Sequence, residues 1–280
     1  RSWPNRAAYH FRNIWNYDPR ASVKAEVEAH MLEVLHVADD LVKAGKIRHI
    51  ALSNETVWGA ARWLSLAEKH GLPRMATVQN EYSLLCRQFD SDWAEFAAIE
   101  DMPLLAFSPL AAGLLTGKYA GDVIPDGSRR SYNPTLSGRV TPQMFPAVAA
   151  YLGIAARHGL DPCQMAIAFC MGRPFPTIPI IGATNLAQLA TSIGAADVVL
   201  SPEVLADIDA AHRAHLVQAG QAQGQARLAG AAGAADAVDV VLAVLGQVVV
   251  EDDLKVVDVD AAGGDVGGDE EVDGALAEAV

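Results

Sequence analysis

Four short apolar segments of this chain each end in a small polar cluster: IRHIALSN (47–54), TVQNEYS (77–83), PLLAFSPLAAG (103–113) and TIPIIGAT (177–184). Runs of this length, rich in branched residues and bounded by turn residues, read as buried strands. Helical patterns separate them, which is the signature of βα units around a parallel sheet. Strand starts near 47, 75 and 103 give a repeat of 28 residues, suited to a strand, a helix and two short loops. This reading puts Ser53, Asn54, Gln79, Asn80, Ser108, Gly182 and Thr184 at the carboxyl ends of successive strands. In parallel α/β proteins, and above all in (β/α)8 barrels, that edge is where ligands bind.

Periodicity fills the intervals. Val27, Met31, Val34, Leu35, Ala38, Leu41 and Val42 recur at helical spacing over 22–45, with Ser22 as the expected N-cap and Gly45 as the stop. A second helix is expected from Thr56 to the Gly71–Leu72–Pro73 turn and a third near 90–99. Two more are expected near 142–158 and 162–171, and two near 185–193 and 202–214, the last opened by Ser201–Pro202. Before the fourth strand lies a Gly/Pro/Arg-rich loop, 117–140, of a length that marks function inside a regular α/β pattern.

Charge divides the chain. Residues 219–280 hold 13 acidic and two basic residues, so −11 of the total −13 lies there and −2 in residues 1–218. The near-neutral body offers no basic face for nucleic acid or anionic lipid. The tail 218–280 has no aromatic residue and is dominated by Ala, Gly, Val and Asp. It is expected to be disordered, either as an acidic solubilising tail or as an out-of-frame translation. No segment has the length and apolarity of a membrane span, and the N-terminus lacks the apolar core of a signal peptide. Three cysteines without a CxxC spacing read as reduced thiols of a cytoplasmic protein. The chain does not begin with Met and reads as a fragment.

Common cofactor and nucleophile motifs are missing: no GxGxxG, no phosphate loop, no GxSxG and no HExxH. No metal site is expected. What remains is the strand-end set. SPLAAGLLTGKY (108–119) joins a strand to a small-residue turn whose N–H groups can approach a pyrophosphate, with Lys118 and Arg129 to meet its charge. IIGATNLAQL (180–189) puts a glycine turn at the start of a helix, where a phosphate is also favoured. On spacing alone both segments are also readable, and rather more readily, as ordinary βα turns, with Gly182 supplying only a positive φ.

GKIRHIALSNET, VQNEYSLL, LLAFSPLAAGLLTGKY and IIGATNLAQL, in this order and spacing, resemble the second half of an aldo/keto reductase. The likeness covers roughly residues 3–215 and is strongest to the subgroup of the tas protein and the potassium-channel β subunits. It implies a (β/α)8 TIM barrel, of which residues 1–217 are the C-terminal half, and NADP(H)-dependent reduction of a small-molecule aldehyde or ketone. By resemblance, Ser53 and Asn54 hold the nicotinamide carboxamide with Gln79 beside them, and Phe107 stacks on the ring. Ser108, Pro109, Leu110 and Ala111 wrap the pyrophosphate, while Lys118 and Arg129 reach the adenosine phosphate. Gly182, Thr184 and Gln188 fall in the adenine-ribose segment. A second reading is a non-catalytic NADP(H)-binding regulatory subunit like the channel β subunits. Oligomeric state is left open.

Three departures matter. Thr191 and Ser192 stand where the family's last motif has Glu–Asn, and Ser2 stands where it has its catalytic histidine before Trp3–Pro4. The family's catalytic Asp, Tyr and Lys belong to its first three strands and have no counterpart here. Tyr82 tempts as a proton donor but lies beside the cofactor segment. Four βα units out of eight would also leave two open sheet edges, an aggregation liability.

Overall fold

The structure, a computed structural model, describes the backbone of residues 9–10, 14–15 and 23–231, and side-chain environments over 23–216. The expectations for Ser2, Ser22 and the tail beyond 231 lie outside the described residues. The chain divides into two compact units, Arg1–Gln223 and Gly224–Val280. Of the second, only the helical residues 224–231 are described.

A parallel sheet organises the first unit. Its strands are β3 (Ile50–Ser53), β4 (Met75–Glu81), β5 (Leu104–Phe107) and β6 (Thr177–Ile180), in the order β3-β4-β5-β6. Every pair is parallel, as the alternation of strand and helix patterns requires. Before it, β1 (Tyr9–His10) and β2 (Ile14–Trp15) form a separate antiparallel pair that the sequence pattern did not announce. Among the described residues β3 and β6 are the sheet's edges. Pro179 sits in β6, where a residue without an N–H is tolerated because it interrupts no central ladder.

Helices connect the strands: α1 (Lys24–Lys43) precedes β3, α2 (Val57–His70) leads to β4, and α3 (Trp93–Ile99) to β5. The long crossover from β5 to β6 carries the single turn α4 (Arg129–Tyr132), then α5 (Met144–Arg157) and α6 (Pro162–Met171). After β6 come α7 (Leu186–Gly194) and α8 (Pro202–Ala231). Local chemistry explains the boundaries. The Thr56 hydroxyl accepts from the Gly59 N–H at 3.1 Å, and Gly71 ends α2 at φ 64°, a left-handed cap that favours glycine. Asp161 accepts from the Cys163 and Gln164 N–H groups ahead of Pro162, and Asn185 caps α7 through the Gln188 N–H at 2.9 Å. By contrast, α1 starts after Val23 with no side-chain cap. The last helix runs past its expected end near 214 to Ala231, into the segment expected to lack order.

The two faces of the sheet differ. Leu52, Val78, Leu104 and Ala106 share one face and are at most 1% exposed beneath a core of helix residues that includes Leu35, Trp63, Tyr151 and Phe169. The register aligns Ser53, Gln79, Leu105 and Ile178 on the opposite face, followed by the row Glu81, Phe107 and Ile180. Ser53, Gln79, Leu105, Glu81 and Phe107 are half-buried, while Ile178 and Ile180 are exposed. One face is therefore a finished core, and the other is only partly covered.

Candidate cofactor site

The carboxyl edge of the sheet gathers several of the expected residues. Ser53 and Gln79 are register neighbours, and the Asn54 N–H donates to the Gln79 carbonyl at 2.9 Å. The Asn54 side-chain amide lies 3.4 Å from the Ser53 hydroxyl. Asn54 takes φ 51°, a left-handed conformation that asparagine tolerates better than most residues. Beneath, Glu55 is buried, accepting from the Thr56 N–H at 2.9 Å and the Trp63 indole at 3.2 Å. The buried Asn80 donates to the Glu55 carbonyl at 3.1 Å. This buried polar layer fixes the β3 and β4 ends against each other.

The turn after β5 is unusual. Ser108, Ala111 and Ala112 take φ of 56°, 48° and 58°, and Gly113 takes 97°. Non-glycine residues in this region cost of order 1 kcal/mol each, and such conformations cluster at binding sites. The run is closed by Ala111 N–H to Ser108 carbonyl at 2.7 Å and Gly113 N–H to Leu110 carbonyl at 2.9 Å. A Cβ on Gly113 would stand 2.8 Å from the Lys118 Cε, so this glycine lets Lys118 fold back over the turn. The Lys118 ammonium sits 5.0 Å from the Tyr119 ring centroid, a cation–π contact.

Arg139 is the residue that sequence reasoning missed. Its Nε donates to Glu81 at 2.6 Å and its Nη2 to the Ser108 hydroxyl at 3.2 Å. With side chains 11% and 7% exposed, Arg139 and Glu81 form a nearly buried ion pair at the ends of β4 and β5. A cation is therefore built in beside the left-handed turn. The pair borders a cavity of about 650 Å³ lined in part by Ser83, Arg87, Ala111 and His212. Burial, with Arg87 nearby, pulls the His212 pKa below its ordinary value.

Other expected residues lie at the surface. Arg129 is exposed at the start of α4, whereas its neighbour Arg130 is 5% exposed and salt-bridged to Asp122 at 2.6 Å. The 182–188 segment is exposed. There the Gln188 side chain accepts from both the N–H and the hydroxyl of Thr184 at 3.0 Å. Gly182 does not adopt the positive φ expected of it, and the space beside it is open. It makes no left-handed turn, and a side chain there would meet no neighbour. Thr191 contributes its carbonyl to Gln164, and Ser192 is buried.

Tyr82 has no free hydroxyl to offer a substrate. It is fully buried in an aromatic cluster with Phe89, Phe169 and Phe175 and donates to Asp90 at 2.6 Å. Burial, reinforced by Asp90, drives its pKa far above that of free tyrosine. The three cysteines are free thiols, and burial pushes Cys170 up to about 12 and Cys163 up to about 11. Among the described residues no His/Cys/Asp/Glu group could hold a metal ion, and no single helix is long and apolar enough to cross a membrane.

Residues 4–213 match the family model described as "Aldo/keto reductase family". The chain belongs to the aldo/keto reductase family. It is 43% identical over 213 residues to "Protein tas" of Escherichia coli (strain K12), covering 76% of this chain and 60% of that protein. An "Aldo-keto reductase" of Babesia bovis is 36% identical over 168 residues, 57% of this chain and 58% of the relative. A "Putative voltage-gated potassium channel subunit beta" of Schizosaccharomyces pombe is 31% identical over 195 residues, 64% and 54% of the two chains. The chain thus spans 54% to 60% of the length of these curated relatives.

Proposed function

We propose that the whole protein is a cytoplasmic, NADP(H)-dependent oxidoreductase that reduces aldehydes or ketones to alcohols, and that the four βα units described above are the second half of its (β/α)8 barrel. The observation that carries this reading is the left-handed Ser108–Gly113 turn with Arg139 and Lys118 beside it. The turn, with a guanidinium and an ammonium beside it, suits a phosphate-bearing ligand, and the amides and hydroxyl of Asn54, Gln79 and Ser53 suit a carboxamide, which both donates and accepts.

Bound NADPH would supply the hydride. This chain's residues would hold and orient it: Ser53, Asn54 and Gln79 at the nicotinamide, with Phe107 presenting a flat face on the same side of the sheet. Ser108 to Ala111 would line the pyrophosphate. Lys118 and Arg129 would meet the 2′-phosphate, and Gly182, Thr184 and Gln188 the adenosine. The substrate is a small carbonyl compound; the near-neutral body favours neither nucleic acid nor membrane as a partner.

The test is titration of the chain with NADPH, followed by addition of 4-nitrobenzaldehyde. We expect saturable cofactor binding without turnover, because among the described residues no Asp/Tyr/Lys set accompanies the site. Turnover above a protein-free blank would refute the assignment of proton donation to residues other than these. The potassium-channel relative supports a second reading, a cofactor-binding regulatory subunit. Turnover by a longer form of the protein, carrying the complementary half, would decide against it.

A further inference from the structure

Two dipeptides of the long loop before α5 share one arrangement. Lys118 and Arg129 are exposed, and the residue that follows each is buried: Tyr119 is 1% and Arg130 5% exposed. The two buried residues meet. The Arg130 guanidinium carbon lies 5.5 Å from the centroid of the Tyr119 ring and 5.8 Å from that of Phe145. The Lys118 ammonium lies 5.0 Å from the same Tyr119 centroid. These are cation–π distances. Both cations that the cofactor reading assigns to the 2′-phosphate are thus tied to one ring, Lys118 directly and Arg129 through its neighbour.

Arg130 is built to hold this arrangement and not to bind an anion itself. All three of its nitrogens are engaged. Nε donates to the Pro134 carbonyl at 3.3 Å, Nη1 to the Val123 carbonyl at 3.5 Å and Nη2 to the Asp122 carboxylate at 2.6 Å. Acceptors at 122, 123 and 134 bracket the Arg129–Tyr132 turn, so one planar fork closes the loop on itself. A lysine, a point charge on a flexible stem, does not reproduce that fork. Asp122 offsets the charge of Arg130 and leaves those of Lys118 and Arg129 facing solvent. The far end of the same loop is fixed by Arg139, which donates to Glu81 and Ser108. A loop that is already held need not be ordered when its ligand arrives, and the saving appears as affinity.

We propose that Arg130 is a positioning residue for nucleotide recognition: stapled to Tyr119, it pre-sets Lys118 and Arg129 for a phosphomonoester and so determines the preference for NADP(H) over NAD(H). This rests on the cofactor reading above. The test is calorimetric titration of the 280-residue chain with NADPH and, separately, with NADH. The parent is compared with Arg130→Met and Tyr119→Leu, each checked by circular dichroism. The parent should bind NADPH about tenfold or more tighter than NADH, because charge-assisted bonds to the 2′-phosphate are strong. Either substitution should lower that ratio roughly fivefold or more while NADH affinity stays within about twofold, since NADH has no 2′-phosphate to lose. Tyr119→Phe keeps the ring and should keep the ratio; the hydroxyl it removes has no hydrogen-bond partner among the described residues. Asp122→Asn, at a side chain 65% exposed, reads the same ratio should Arg130→Met fail to fold. In the ligand-free chain, thermolysin should cut at the exposed Val123 roughly fivefold faster in Arg130→Met than in the parent. Equal affinity of the parent for the two nucleotides, a ratio indifferent to the substitutions, a parallel loss of both affinities, or unchanged cleavage would overturn the proposal and leave the cofactor reading standing. A folded parent that binds neither nucleotide would overturn the cofactor reading and the proposal with it.

Discussion

Replacing Arg139 by methionine should destabilise the fold far more than loss of a surface ion pair. Its partner Glu81 is 7% exposed and Arg139 itself 11%, so the substitution strands a carboxylate with little access to water. Breaking one side of a buried pair typically costs about 3–5 kcal/mol. Residual exposure lowers this, while the lost bonds to Leu136 and Ser108 raise it. We expect a net loss of about 3 kcal/mol, or roughly 6–12 °C in Tm for a domain of about 200 residues. The double substitution Arg139→Met with Glu81→Met removes both charges and should recover to within about 1 kcal/mol of the parent, since apolar replacements of buried pairs are often neutral. Urea unfolding followed by tryptophan fluorescence gives all four corners of the cycle. A single-mutant loss below about 1 kcal/mol, or a double mutant no better than the single, would refute the claim that a desolvated pair pins these strand ends.

Gly113→Ala should cost about 1–2 kcal/mol by urea unfolding, from a strained backbone and the displacement of Lys118; a neutral result would mean the turn is not held as described. Burial raises the pKa of Tyr82 far above the ordinary value and that of Tyr151 to about 12. Because the unfolded phenols ionise near ~10, their contribution is fully present below that pH and lost as pH rises through 10 to 12 and beyond. Stability should therefore fall on the alkaline side, and Tyr82→Phe should flatten the fall; identical profiles would contradict this. Cys163 and Cys170 should resist DTNB at pH 8 in the native chain and react in urea, whereas rapid native labelling would show the α6 packing to be wrong.

Much of this architecture was legible because local chemistry and global fold agree. Thr56 and Gly71 mark the ends of a helix in the sequence and cap α2 in the structure, and the helices expected near 162 and 185 start where Asp161 and Asn185 cap α6 and α7. The four strand segments were readable from branched residues and polar terminators. What could not be read depends on distant partners. Arg139 finds Glu81 and Ser108 at separations of 58 and 31 residues. Arg129 and Arg130 are adjacent and chemically equal, yet only Arg130 is drawn inward by Asp122 and the Tyr119 and Phe145 rings. The left-handed conformations of Ser108, Ala111 and Ala112 carried no signal of their own, since only Gly113 at the end of the run is a residue type that favours a positive φ. Gly182 misled in the other direction, since it takes no positive φ and has open space beside it.

The most direct test of the central claim is calorimetric titration of the chain with NADPH, alongside Ser53→Ala and Arg139→Lys, with folding checked by circular dichroism. The account predicts saturable 1:1 binding to the parent and at least tenfold weaker binding to Arg139→Lys, whose ammonium cannot reproduce the guanidinium fork. A smaller loss is expected for Ser53→Ala. A folded parent chain with no detectable heat at millimolar NADPH would contradict it.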